Sequence, residues 1–235
     1  MIKNSIYPYV DDKVFLEEVQ RVFNTVGGEL NETDKKIHKN VIDPFSAIFD
    51  SASQGINYDD WIEQEKHRQI QKTMQNAVGY FHQKIIGAVD GWIDLGPGGG
   101  CDVENKKRKI VAEIKNKHNT LNGDGNIAAY DKVDYFLDRN KGYTGYVVKI
   151  LPSSKKRFNK SFTPSEKKVR RTKKDNLLTV DGATFYEMVT GDKNALRTLF
   201  DVLPIAFERL GRINGKASKI EAQKFNELFN RAFGI

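Results

Sequence analysis

The sequence predicts an α/β fold, a mixed central β-sheet flanked by helices. Three observations carry that prediction. Amphipathic patterns at helical spacing fill much of the first 86 residues and return after residue 125. Between and after them lie short β-rich runs near residues 90–95, 110–117, 145–151 and 177–180. The run Gly145–Leu151 is continuously apolar apart from Lys149, as expected of a central strand covered on both faces. Strand, strand, helix, strand around one sheet is an α/β core.

The chain has 235 residues, of which 39% are hydrophobic and 29% charged, enough to build a sizeable core and too apolar for a disordered chain. Net charge is +7, which favours a polyanionic partner such as nucleic acid or an anionic membrane surface. The single cysteine, Cys101, permits no disulfide within the chain and fits a reducing compartment. One cysteine with four histidines also speaks against a zinc site. Met1–Ser5 lacks the apolar core of a signal peptide, and no apolar run nears the ~20 residues of a membrane span. The expectation is a cytoplasmic protein with no membrane association.

The elements follow in order. Phe15, Val19, Val22, Phe23 and Val26 predict a helix over 11–26, capped by Asp11 or Asp12 and ended by Gly27-Gly28. Ile37, Val41, Ile42, Phe45, Ile48 and Phe49 predict another over 33–50, kinked or divided at Pro44. After the break at 54–57, Asp60 and Glu63 read as a capping box. They open a long helix to Ile86 with Ile70, Met74, Ala77, Val78, Phe81 and Ile85 buried. Glu65, Lys72, Asn76 and Gln83 fall on its opposite face, toward solvent, a phosphate backbone or a metal. The sheet begins near Asp90–Leu95. Asn122–Gly125 is a turn, and 126–139 a helix with Ile127, Tyr130, Val133, Phe136 and Leu137 inward. A strand at Leu177–Val180, a helix from Asp181, a helix capped by Asp192 with a kink at Pro204, and a terminal helix over 217–233 complete the chain. The last is expected to pack Ile220, Phe225, Leu228, Phe229 and Phe233. Without a repeat or clean linker, one domain is the simplest organisation.

Two stretches remain. Lys155–Lys174 carries ten lysines and arginines against one acid, Glu166, with Phe158 and Phe162 interleaved. A solvated loop is the ordinary meaning of such a run, but its density suits a phosphate backbone, and Arg157, Arg170 and Arg171 suit guanine edges. Lys155, Lys156, Lys160, Lys168 and Lys173 complete that candidate surface. The second stretch runs from Gly96 to Thr120. Asp102 opens a hairpin behind a glycine-rich turn, and Glu113 and Lys115 sit two apart on its return strand. Side chains two apart share a face, so Val111, Glu113, Lys115 and Lys117 point one way, while Ile110, Ala112 and Ile114 point into the core.

Phosphodiester hydrolysis needs a positioned water, charge stabilisation at phosphorus and help for the leaving oxygen. A hard cation such as Mg²⁺, with oxygen ligands, supplies much of this. Asp102 and Glu113 offer two carboxylates and the Ile114 carbonyl a third oxygen. Lys115 can orient the attacking water or neutralise developing charge. The plain alternative is a salt-bridged surface hairpin. The histidines His67, His82 and His118 lack a Ser or Cys partner and read as surface or helix-face residues. Cys101 reads as a buried structural thiol. Gly96–Gly100 lacks the Gly-Lys-Ser/Thr ending of a P-loop.

Asp102 with Glu113-Ile114-Lys115 resembles the metal-binding signature of PD-(D/E)xK nucleases, with Cys101 standing where the signature has proline. The stretches His67–Thr73, Gly79–Gln83 and Ala112–Thr120, with Val189–Asp192 and Asn194–Leu196, are similar to type II restriction endonucleases that cut GGNCC-like sites. The similarity runs from about Trp61 to Leu210. It implies a PD-(D/E)xK restriction-endonuclease-like core and Mg²⁺-dependent cleavage of double-stranded DNA to 5′-phosphate and 3′-hydroxyl ends, with Mn²⁺ able to substitute. It also implies a homodimer and a cognate DNA methyltransferase. Glu65, with Gln69, is a candidate to assist the metal, and Lys117 and Asn119 join the candidate DNA contacts. In this reading residues 1–235 are one endonuclease domain: a helical part to about 58, a catalytic core over 59–151, a basic DNA-contact segment over 152–175, and a C-terminal strand and helices over 176–235. The rivals are a structure-specific or repair nuclease on the same core and a non-catalytic basic DNA-binding protein.

Overall fold

A computed structural model of the chain describes residues 5–36, 42–117, 123–166, 169–212 and 219–234. It forms two compact units, Met1–Val19 with Gly79–Ile235, and Gln20–Val78.

The larger unit is built on a mixed sheet of six strands, in keeping with the predicted α/β class. The strands are β1 (Ile93–Asp94), β2 (Val103–Asn105), β3 (Ile110–Lys117), β4 (Thr144–Leu151), β5 (Asn159–Ser161) and β8 (Leu177–Asp181). Their order is β1-β2-β3-β4-β8-β5. The first three are joined antiparallel. β3, β4 and β8 run parallel, and β5 closes the other edge antiparallel to β8. A separate two-stranded sheet pairs β6 (Ser165–Glu166) with β7 (Val169–Arg170).

Both faces of the parallel strands are covered. Helix α4 (Gly123–Arg139) lies on one, where Val111, Val147 and Leu177 pack with Ala129, Tyr130, Val133, Leu137, Cys101 and Phe162. The alternation puts Val111 on the face of Glu113 and Lys115, but at Val111 that face is core, because α4 closes over it. Gly145 sets how close α4 comes: a Cβ there would stand 2.3 Å from Val133 Cγ1 and 3.1 Å from Leu137 Cδ1. Beneath the other face, Phe185 of α5 (Gly182–Thr190) meets Tyr146 and Trp92 at ring separations of 6.0 and 5.5 Å. Helix α5 starts beside Asp181, as its sequence predicts, and Asp181 caps it by accepting from the Thr184 N–H. Helix α6 (Ala195–Arg209) packs on α5. The N-terminal segment is tied to the region before α6 by Tyr9, whose hydroxyl donates to Asp192 over 2.6 Å.

Several boundaries move. Helix α1 (Asp12–Lys36) runs through Gly27-Gly28: glycine costs only about 1 kcal/mol in a helix interior, too little to end it. Of the two expectations at Pro44 it is division that holds: Pro44 starts a separate helix, α2 (Pro44–Gln54), capped by Asp43, which accepts from the Phe45 N–H at 3.0 Å. Helix α3 (Tyr58–Gly87) begins before the expected capping box, because Asn57 accepts from the Asp60 N–H at 2.9 Å and takes the capping role. The Gly123–Gly125 turn is the first turn of α4. Asp192 caps its own loop rather than α6, whose N-cap position is held by Asn194. In α7 (Lys219–Phe233), Phe229 stacks on Phe200 and under the Arg197 guanidinium, but Phe225 and Leu228 are exposed. The basic run is not unstructured either, since β5, β6 and β7 lie within it. Ile37, Val41, His118, Asn119 and Lys168 lie outside the described residues.

His82, expected on a surface or helix face, is buried, with Nδ1 2.8 Å from the Tyr186 hydroxyl. Burial disfavours its charged form and brings its pKa down to about 4. The unfolded chain therefore takes up a proton near pH 6.5 that the native protein refuses. The contribution is whole above that pH and is lost as pH falls toward 4. We expect unfolding free energy from urea titrations to drop by about 2 kcal/mol between pH 7 and pH 5 on this account. His82→Phe will flatten that interval, and an undiminished drop in the variant would contradict the assignment. Gly145→Ala should cost about 1–3 kcal/mol by overpacking α4 against β4. That lowers the thermal midpoint by several degrees at about 2–4 °C per kcal/mol, and an unchanged melting curve would refute the close approach.

Candidate active site

The hairpin of β2 and β3 brings Asp102 and Glu113 together. Val103 pairs with Ala112, and the ladder extends one residue further through the Asp102 N–H to the Ala112 carbonyl, 3.0 Å. This fixes the Asp102 backbone. Its side chain is fixed as well: Oδ2 accepts from the Ile114 N–H at 2.7 Å. Ile114 thus meets the site through its amide, besides the carbonyl singled out in the sequence.

Glu113 is 3% exposed, at the point where the sheet face passes from core to cleft. Its Oε1 accepts from Lys115 Nζ at 2.8 Å. Its Oε2 lies 2.5 Å from Nζ of Lys132, on α4, off the line of a directed hydrogen bond, so that its partner is a charge. The same ammonium is 3.5 Å from Asp102 Oδ1. Each carboxylate therefore has one oxygen anchored locally and one turned toward a shared cation.

The electrostatics match this packing. Burial raises the Asp102 carboxyl above its ordinary range, Glu113 adds to the rise, and the Ile114 N–H and Lys132 oppose it. Burial disfavours charge on Lys132, yet the two carboxylates outweigh that and raise its affinity for the proton. Cys101, beside Asp102 in the chain, is buried and its thiol is pushed up to about 12, chiefly by that burial, which leaves it inert.

The site opens on a cleft of about 650 Å³ lined by Tyr80, Gln83, Gly96, Gly98, Asp102, Lys132 and Tyr135 among others. The glycine loop that forms one wall turns back tightly: a Cβ at Gly99 would stand 2.4 Å from Leu95 Cβ. Asp94 steadies that loop and the end of α3. It accepts from the Gly96 N–H at 2.9 Å and from Gln83 at 2.8 Å, and pairs with Lys84. Gln83 is therefore drawn toward the sheet rather than to open solvent.

Two facing carboxylate oxygens, both turned to one positive charge, form a donor set that suits a hard divalent cation. No group of three or more His, Cys, Asp and Glu suited to a metal occurs among the described residues.

The remaining candidates are distributed differently. Glu65 is buried, against the expectation from its place on the helix. Arg68 folds over it with Nε and Nη2 at 2.7 and 2.8 Å, and Gln69 donates at 2.8 Å. Burial opposes ionisation of Glu65, but these donors hold its carboxyl below the usual range. Glu65 and Gln69 belong to the smaller unit.

In the basic run, Arg171 grips Asp131 of α4 with two contacts of 2.8 and 2.6 Å. Lys174 reaches Asp138 at 3.1 Å and also Asp134. Arg157 pairs with Glu187 at 2.8 Å, and Lys173 lies 3.8 Å from Asp175. Lys155, Lys156, Lys160 and Arg170 are exposed, and Lys117 is half-buried. Lys149, next to Lys115 across the β3–β4 ladder, has its charge disfavoured by burial and then by Lys160.

Lys132 is the residue that sequence reasoning missed. It lies beside the apolar stripe of its helix, where a lysine ordinarily lays its stem along the core and its head in water. Only the docking of α4 on the sheet reveals what the head meets.

The profile of the Eco47II restriction endonuclease family matches residues 7–211. Type II restriction enzyme Eco47II of Escherichia coli is 37% identical over 239 residues, covering 98% of this chain and all of that enzyme. Type II restriction enzyme Sau96I of Staphylococcus aureus is 28% identical over 211 residues, covering 87% of this chain and 81% of that enzyme.

Proposed function

Because the chain belongs to the Eco47II restriction endonuclease family and is a site-specific deoxyribonuclease, we propose that Asp102 and Glu113 hold Mg²⁺ for hydrolysis of double-stranded DNA. The observation that supports this most is the convergence of Asp102 Oδ1 and Glu113 Oε2 on one cation at the edge of an open cleft.

In this reading the Ile114 carbonyl supplies a third oxygen and Mn²⁺ substitutes for Mg²⁺. When bound, the ion supplies Lewis acidity and charge neutralisation at the scissile phosphate. The chain's own groups do the rest. The Ile114 N–H and the β2–β3 ladder hold the Asp102 carboxylate in place. Lys115 Nζ orients the attacking water and offsets charge gathering on the phosphate oxygens. Water oxygen gives up a proton to solvent and bonds to phosphorus as the bond from phosphorus to the 3′ oxygen breaks. That oxygen leaves as a 3′-hydroxyl after taking a proton, and the other end keeps a 5′-phosphate.

Lys117, Asn119 and the basic residues Lys155, Lys156, Arg157, Lys160, Lys168, Arg170, Arg171 and Lys173 carry the DNA contacts. The helical part, the core and the basic segment then act as parts of one endonuclease. The similarity to GGNCC cutters extends the proposal to a GGNCC-like site, read by a homodimer because a two-fold site is met by a two-fold protein. A cognate DNA methyltransferase would protect host DNA in the cytoplasm. No helix among the described residues is long and apolar enough to cross a membrane.

Glu113→Ala and Lys115→Ala should each abolish cleavage of a sequenced plasmid in Mg²⁺ while leaving DNA binding in gel shift intact. Wild-type cleavage by either variant would overturn the assignment, and mapped ends of the wild-type fragments fix the site and overhang.

A further inference from the structure

We infer that Lys132 is a resident counter-ion of the carboxylate pair, seated where the divalent cation binds, so that metal loading requires its displacement. The inference rests on the proposed metal role of Asp102 and Glu113. It comes from how the four carboxylate oxygens are used. Asp102 Oδ2 is committed to the Ile114 N–H and Glu113 Oε1 to Lys115. The other two oxygens face Lys132 Nζ, at 3.5 and 2.5 Å. A divalent ion held by these two residues would have to come closer to their carboxylates than the ammonium does, and so would take its volume. Two positive centres cannot share that space.

Lys132 differs from Lys115 in two respects. It faces both carboxylates rather than Glu113 alone, and it comes from a helix rather than from the same strand. Its side chain is 40% exposed and lines the cleft, so the ammonium has a route outward when it yields. Lys115, paired through the anchored oxygen of Glu113, need not move. The two lysines thus divide the work: Lys115 serves the reacting water, and Lys132 is a positioning residue that holds the like-charged pair together until metal arrives. It also tunes metal affinity, weakening it by the strength of the contact to be broken.

The test is calorimetric titration of the purified protein with Mn²⁺ alone, without DNA. Lys132→Met should bind about tenfold more tightly than wild type, as expected when one charge-assisted contact no longer competes. Lys132→Arg should stay near the wild-type value. Unchanged or weaker binding by a folded Lys132→Met overturns the inference. A second readout uses the wild-type protein and so does not depend on the variant folding. Mass-spectrometric labelling of lysine amines should show Lys132 reacting faster with saturating Mn²⁺ than without it, and an unchanged or slower rate also overturns the inference. Glu113→Gln separates the two levels. If it binds Mn²⁺ like wild type, the carboxylate site itself is wrong. If it loses binding while Lys132→Met gains none, only the counter-ion role fails.

Discussion

Two carboxylates held close together in a partly buried place repel each other, and burial removes the water that would screen them. Such a pair persists only if a positive charge is brought to it or a proton is retained. Asp102 and Glu113 are held by backbone pairing on adjacent strands and cannot swing apart. The positive charge comes instead from Lys132, on a helix that reaches the sheet only through tertiary packing. The hairpin creates the demand for a cation, and the docking of α4 meets it.

That dependence explains why the packing beneath α4 matters for chemistry. Val133 and Leu137 rest over Gly145, and Ala129, Tyr130, Val147 and Leu177 belong to the same apolar cluster. Lys132 lies next to Val133, so its reach is set by how closely that residue approaches β4. Cys101 belongs to the same cluster and is one residue from Asp102. The apolar core and the polar site therefore share a boundary only one residue wide.

What the sequence disclosed and what it concealed follow the same line. The α/β class was legible because strand and helix periodicities are local. So were the central position of β4, from a run apolar but for Lys149, and the start of a helix at Asp181. The pairing of Asp102 with Glu113 was legible because a hairpin of that length leaves little freedom of register. Lys132 was not, since no local pattern says what lies beyond a lysine head group. Glu65 was assigned to an open helix face because a helical wheel ignores the side chains one turn away. Arg68 and Gln69 sit three and four residues on and fold back to cover it. Phe225 and Leu228 follow a helical spacing, but in α7 Phe229 rather than either of them meets Phe200 and Arg197.

The acidic face of α4 bears on how the basic run would meet DNA if it carries the contacts proposed for it. Arg171 and Lys174 already hold Asp131, Asp134 and Asp138, and Arg157 holds Glu187. Their charges are neutralised within the protein before any phosphate arrives. The dependence of DNA affinity on salt counts the ions released when protein and phosphate charges meet. A side chain that leaves an aspartate for a phosphate releases ions from the DNA but exposes a carboxylate that gathers its own. The slope of affinity against salt will therefore report fewer contacts than the ten basic residues between Lys155 and Lys174 would indicate. Exchange of partners, rather than accumulated charge, would then govern that part of the surface.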